Sequence, residues 1–90
     1  MSQSRHTTTL GGHAIALVFD KDLVVLNRAR LEVDGEQVDS TRVFYGERDL
    51  STELADGTTI RVRLHSGMVG ELTRAQIQSA DGQWRDLDPE

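Results

Sequence analysis

Asp56-Gly57-Thr58-Thr59-Ile60-Arg61-Val62-Arg63-Leu64 is the stretch on which the reading of the fold turns. From Ile60 onward apolar and charged residues alternate strictly. Successive side chains of an extended backbone point to opposite faces, so Ile60, Val62 and Leu64 are expected to point inward and Arg61 and Arg63 to solvent. The Asp-Gly pair in front of this run is a hairpin signal, because Asp tolerates the left-handed backbone of a type I′ turn and Gly adopts it without steric cost. Asp34-Gly35 and Asp81-Gly82 repeat the pair. The chain is therefore expected to run as consecutive antiparallel strands reversed at these corners.

Neighbouring segments fit the same scheme. Asp49 to Leu54 is compatible with one helical turn through Leu50 and Leu54 or with a strand face through Leu50, Thr52 and Leu54, and the adjoining Asp56-Gly57 favours the strand. Short strands are expected at Glu36 to Val38 and at Arg42 to Tyr45, with Gly46 marking a bend or bulge. Leu23 to Val33 places Val25, Ala29, Leu31 and Val33 on one side and Arg28, Arg30 and Glu32 on the other. Asn27 is the polar exception on the apolar side, and a structural role is expected for it. Gly12 to Phe19 carries Ile15, Leu17 and Phe19 on one face and Ala14, Ala16 and Val18 on the other, which suits a central strand. A loop over His65 to Gly70 leads to Glu71 to Ser79, with Thr73, Ala75 and Ile77 facing in, and a last strand carries Trp84 and Leu87 and stops at Pro89. The expected fold is an all-β antiparallel β-sandwich, or a small barrel, of seven to eight short strands joined by hairpins. One domain over residues 1–90 is expected, with residues 1–9 a flexible tail and 88–90 a loose C-terminus.

Composition narrows the function classes. With 90 residues, the chain buries only about 60 to 65% of the surface its unfolded form exposes, which allows one thin core and no deep substrate cleft. No cysteine is present, so a disulfide framework, a thiolate metal site and a catalytic thiol are all excluded. Ala14 to Phe19, the longest uncharged apolar stretch, is far too short to span a bilayer, and the polar residues from Met1 to Thr9 do not form a secretory signal. Cytoplasmic residence is the resulting expectation. The basic residues are nine arginines and one lysine, Lys21, a bias that hints at a GC-rich bacterial source.

Few residues suggest chemistry. His6, His13 and His65 do not pair at metal-ligand spacing, so neither a metal site nor a cofactor is expected. His65 beside Ser66 can be drawn into a nucleophilic trio with some carboxylate, yet geometry and not composition defines such a trio, and no enzyme is expected. Gly67-Met68-Val69-Gly70 lacks the Lys-Ser/Thr ending of a phosphate loop. The most informative pattern is a candidate arginine face: Arg28 and Arg30 share one strand face, Arg61 and Arg63 another, and Arg74 lies outward on a third strand. If those strands pair, the guanidinium groups cluster, and they can grip an anion or an acidic partner by forked hydrogen bonds. Glu32, Glu53 and Glu71 are candidate cross-strand ion-pair partners that would neutralise them. A net charge of −5 opposes nonspecific attraction to nucleic acid, and the four aromatic side chains Phe19, Phe44, Tyr45 and Trp84 are expected mostly in the core.

The segment from about His13 to Leu87 resembles, in layout, the β-sandwich domain of the Fas apoptotic inhibitory molecule family. The pieces that carry the resemblance are Leu31-Glu32-Val33-Asp34-Gly35-Glu36, the step Phe44-Tyr45-Gly46, the strand Thr59-Ile60-Arg61-Val62-Arg63-Leu64, the Ser66-Gly67 loop and the hairpin around Asp81-Gly82. The resemblance implies an all-β, non-enzymatic interaction module and transfers no catalytic residue. The functional expectation is a non-catalytic module that binds a protein partner or itself. The alternatives are anion or nucleic-acid binding through the arginine face, and small-ligand binding near His65 and Ser66.

Overall fold

Hydrophobic alternation with a period of two builds strands that are apolar on one side, and such strands must bury that side against a second layer. The computed structural model, which describes residues 2–21, 27–43, 46–67, 71–79 and 81–89, holds nine strands in two antiparallel sheets. They are β1 (Ser2–Leu10), β2 (His13–Lys21), β3 (Asn27–Val33), β4 (Glu36–Val43), β5 (Gly46–Glu53), β6 (Thr59–Ser66), β7 (Leu72–Gln78), β8 (Trp84–Asp86) and β9 (Asp88–Pro89). The first sheet has the order β4-β3-β2-β1-β9 and the second β5-β6-β7-β8, so every strand but β9 lies beside its neighbour in sequence. The fold is all-β, as expected, in a sandwich-like layout. Among the described residues no helix is long and apolar enough to cross a membrane.

The inward faces interdigitate. Ile15, Leu17 and Phe19 from β2, Ala29, Leu31 and Val33 from β3, and Val43 from β4 meet Leu50, Ile60, Val62, Leu64, Ala75 and Ile77 from the second sheet. Leu87 closes one side of this core, because the chain crosses between the sheets there: β8 pairs with β7 and β9 pairs with β1. Opposite it, β4 and β5 adjoin, and Asp39 of β4 accepts the Ser51 backbone N–H of β5 at 3.0 Å, which occupies a donor on an otherwise open edge. Asn27 sits fully buried at the start of β3.

Several expectations change. The segment expected as a tail is β1, paired with β2 from Ser2↔Lys21 to Leu10↔His13 through a Gly11-Gly12 turn with φ of 57° and 82°. Asp88 and Pro89, expected loose, pair with Thr7 and His6. The expected short strand at Glu36 to Val38 and the described part of the one expected at Arg42 to Tyr45, Arg42 and Val43, share one continuous β4, which absorbs a bulge opposite Leu31/Glu32. Asp49 to Leu54, expected as strand, is strand as far as Glu53. His65 and Ser66 belong to β6, not to a loop. Thr73 is exposed, because a register shift between His65 and Ser66 leaves it without a residue opposite and rotates it outward. Position 22, the expected strand positions 23–26, the aromatic step at 44–45 and the loop positions 68–70 lie outside the described residues.

Candidate functional site

The outer face of β5-β6-β7-β8 carries the densest polar constellation, and its rows follow from strand register. Glu47 stands opposite His65, which faces Arg74; Asp49 stands opposite Arg63, which faces Gln76, which faces Asp86; Trp84 stands opposite Gln78. Arg63 is the hub. Its Nε and Nη2 donate to the two Asp49 carboxylate oxygens at 2.9 and 3.2 Å, and its Nε stands 3.2 Å from Glu47. The same guanidinium lies over the Trp84 ring, 4.3 Å from its centroid. A planar cation fits both demands, presenting forked donors at its edge and a face to the indole. The hydrogen bond from Arg63 holds the Asp49 carboxyl below the usual carboxylate range, and Asp49 in turn raises Arg63.

Trp84, one of the four aromatic residues expected mostly in the core, is half-buried on this outer face. Arg85, opposite Ile77 in register, is exposed, and its Nη2 donates to the Thr9 carbonyl of β1 at 2.7 Å and so ties the two sheets together. Beside this face lies a recess of about 500 Å³ lined by His6, Leu72, Thr73, Arg74, Ala75, Asp86, Leu87 and Pro89. Polar and apolar side chains both line it, and Arg74 and Asp86, 3.6 Å apart, belong to both the recess and the outer face. The His6 Nδ1 atom is buried there with no hydrogen-bond partner.

The five arginines do not form one face. Arg28 and Arg30 lie on β3 in the first sheet, while Arg61, Arg63 and Arg74 lie on β6 and β7 in the second, so the two groups occupy the outer faces of different sheets. Most are matched to carboxylates, but not to those expected. Arg30 Nε stands 3.2 Å from Asp20, and Arg63 and Arg74 meet Asp49, Glu47 and Asp86. Glu32 sits on the strand of Arg28 and Arg30 and pairs with Arg5 at 3.0 Å; Glu53 faces Thr59; the Glu71 side chain lies against Gly67. Arg28 and Arg61 are exposed.

His65 and Ser66 are separated by the strand itself. His65 faces outward with its Nε2 3.2 Å from Glu47, whereas Ser66 is buried with its hydroxyl unpartnered. They do not form a nucleophile and base pair. Among the described residues no group of three or more His, Asp or Glu side chains is arranged to hold a metal ion.

A second cluster had no counterpart in the sequence reading. His13 Nδ1 stands 2.9 Å from Asp34 Oδ2 and its Nε2 3.6 Å from Asp56 Oδ2, so the imidazole bridges the β3–β4 corner of one sheet and the β5–β6 corner of the other. Asp34 also accepts the Ala14 N–H and Asp56 the Thr58 N–H. The hydrogen bond that His13 donates to Asp34 raises the His13 pKa above 6.5, and those that Asp34 accepts from His13 and Ala14 lower Asp34; Thr58 lowers Asp56. The Asp-Gly pairs that signalled turns thus also supplied the two carboxylates.

Comparisons with protein-family models, with curated proteins and with solved structures find no match to this chain.

Proposed function

We propose that this chain is a non-catalytic all-β interaction module that binds a protein partner, or a second copy of itself, through the outer face of β5-β6-β7-β8. The observation that carries this reading is Trp84, the sole tryptophan, held half-buried under Arg63 on the same short strand whose Asp86 lines the recess. Tryptophan and arginine are the residues most often found as energetic anchors of protein interfaces, and the recess bordered by Arg74 and Asp86 of the same face offers a pocket for a partner side chain. The mixture of Glu47, Asp49, Asp86, Arg61 and Arg74 around the anchor suits a protein surface bearing both signs better than a polyanion. Nucleic-acid binding is disfavoured by the net charge of −5 and by the separation of the arginines onto two faces. The apolar side chains that fill the space between the sheets disfavour an internal small-ligand site. The resemblance in layout to a non-enzymatic family points the same way, and cytoplasmic residence in a bacterium belongs to the same proposal.

The test uses the full chain as immobilised bait in soluble extract of its source, with light scattering for self-association. A protein, or a second copy, that is retained by the wild type and lost on Trp84→Ala supports the reading, provided circular dichroism shows the strands intact. Retention unchanged by Trp84→Ala overturns it, as does a strict monomer that retains nothing.

A further inference from the structure

The outer face of β4-β3-β2-β1-β9 places two arginines where a sheet normally places opposite charges. Arg28 of β3 stands directly opposite Arg42 of β4, and both are exposed. Directly opposed residues have Cβ atoms roughly 4.5 to 5.5 Å apart, and like charges at that spacing repel. Neighbouring carboxylates do not relieve the pair. Asp20, on the other side of Arg28 in β2, has its Oδ1 accepting from Gln3 at 2.7 Å and its Oδ2 beside Arg30 Nε at 3.2 Å. Glu32 is turned toward Arg5 at 3.0 Å. Asp39 of β4 is occupied by the backbone N–H groups of Ser40 and Ser51. Among the described residues, Arg28 and Arg42 take no carboxylate within ion-pair distance. Among the described residues at this end of the face, four guanidinium groups, Arg5, Arg28, Arg30 and Arg42, stand against two carboxylates, Asp20 and Glu32. The patch is positive within a chain of net charge −5.

We propose that Arg28 and Arg42 form a site for a phosphate dianion, either inorganic or carried as a phosphomonoester on another molecule. Two planar forks side by side match a tetrahedral oxyanion with several acceptor oxygens, and a dianion neutralises both charges at once. A phosphodiester, with one charge per group, satisfies only half of the pair. This site lies on the opposite outer face from Trp84 and does not depend on the docking surface described there.

The experiment follows thermal unfolding of the full chain in sodium phosphate, in O-phosphoserine, and in sodium chloride of matched ionic strength, for the wild type, Arg28→Gln, Arg42→Gln and the control Arg48→Gln. In chloride at low salt, Arg28→Gln and Arg42→Gln are expected to unfold at or above the wild-type temperature, because each removes the repulsion. In phosphate the wild type is expected to gain a saturable stabilisation shared by Arg48→Gln. Arg28→Gln and Arg42→Gln should require roughly ten-fold or more phosphate for the same gain, the usual loss for one charged hydrogen-bonding partner. A response to O-phosphoserine equal to that to inorganic phosphate identifies a carried phosphomonoester as an acceptable source, and a response to inorganic phosphate alone restricts the site to the free ion. Equal phosphate stabilisation in all four proteins would be a general salt effect and overturns the proposal. So does binding of a single-stranded oligonucleotide in the absence of any phosphate response.

Discussion

Val18 and Ala16 are 1% and 4% exposed although they point away from the core, and among the described residues no strand lies over them. Their cover comes from the flanking strands. Val18 has Arg5 on one side and Arg30 on the other; Ala16 has Thr7 and Glu32; and the Arg5–Glu32 ion pair crosses above β2. Arg5→Ala should remove this roof. Fully burying a valine side chain is worth about 1.5 to 3 kcal/mol, so exposing half of Val18 costs roughly 1 kcal/mol. The Arg5 stem adds roughly another 1 kcal/mol of apolar contact, since its side chain is 40% exposed and each buried methylene is worth about 0.8 kcal/mol. The partly exposed ion pair contributes at most about 1 kcal/mol, which the rotamer freedom regained by truncation largely offsets.

The expected cost is therefore about 2 kcal/mol, or roughly 8 to 16 °C in Tm for a domain of this size. Arg5→Met keeps a flexible apolar stem and discards the charge, so it should cost less than about 1 kcal/mol, as should Glu32→Gln. Urea and thermal unfolding followed by circular dichroism measure all three. If Arg5→Met falls as far as Arg5→Ala, the cover is electrostatic and not hydrophobic. If Arg5→Ala leaves Tm unchanged, Val18 is not roofed by Arg5 at all.

Leu64 is fully buried where β6 meets both neighbours, and Leu64→Ala should cost about 2 to 5 kcal/mol in urea unfolding. Loss of less than about 1 kcal/mol would mean that the inner face of β6 does not pack as described. Arg63→Gln removes the cation above the only tryptophan, and Trp84 emission should shift to the red with faster acrylamide quenching; an unchanged spectrum would contradict the stacking. For His13→Gln the pH dependence carries the information. The raised His13 pKa supplies stability that is full below pH 6.5 and fades as pH rises through the folded value. The lowered pKa values of Asp34 and Asp56 supply stability present above pH 3.8 that fades as pH falls through theirs. The difference between wild type and His13→Gln should therefore be largest near the middle of the interval between those values and shrink toward pH 8.5. A difference that grows with pH would reverse the sign of the coupling.

The core was readable because its residues alternate. Ile60, Val62 and Leu64 are buried, as are Ala29, Leu31 and Val33, and all three Asp-Gly pairs reverse the chain. β1 was not readable in this way, since its polar run from Ser2 to Thr9 has no hydrophobic period to detect. The signal that could have found it is Gly11-Gly12, a hairpin dipeptide with both residues at positive φ, which sets β1 against a strand already recognised as central. His13 was passed over because it has no histidine partner near it in sequence. Its partners are corner carboxylates that only the closure of the two sheets brings within reach.

The candidate site turned on a smaller matter, the length of each corner. At Asp34-Gly35 both residues have positive φ, 53° and 86°, and Val33 pairs with Glu36 as a two-residue turn requires. At Asp56-Gly57 and Asp81-Gly82 only the glycine is left-handed, at 88° and 87°, and the aspartate instead accepts the N–H two residues on, Thr58 or Gln83. Those corners close from Leu54 to Thr58 and from Ser79 to Gln83, one residue wider than a two-residue turn. A shift of one residue exchanges the two faces of a strand. A two-residue turn at Asp81-Gly82 sets Trp84 against Ser79, on the side of Ala75 and Ile77 and thus in the core. The wider corner sets it against Gln78, on the outside. The same extra residue at Asp56-Gly57 brings Arg63 opposite Asp49 and not Leu50. The outward face of Trp84 and the pairing of Arg63 with Asp49 therefore follow from the backbone geometry of two corners, and shortening either by one residue should dismantle the site while leaving the hydrophobic alternation of the sequence untouched.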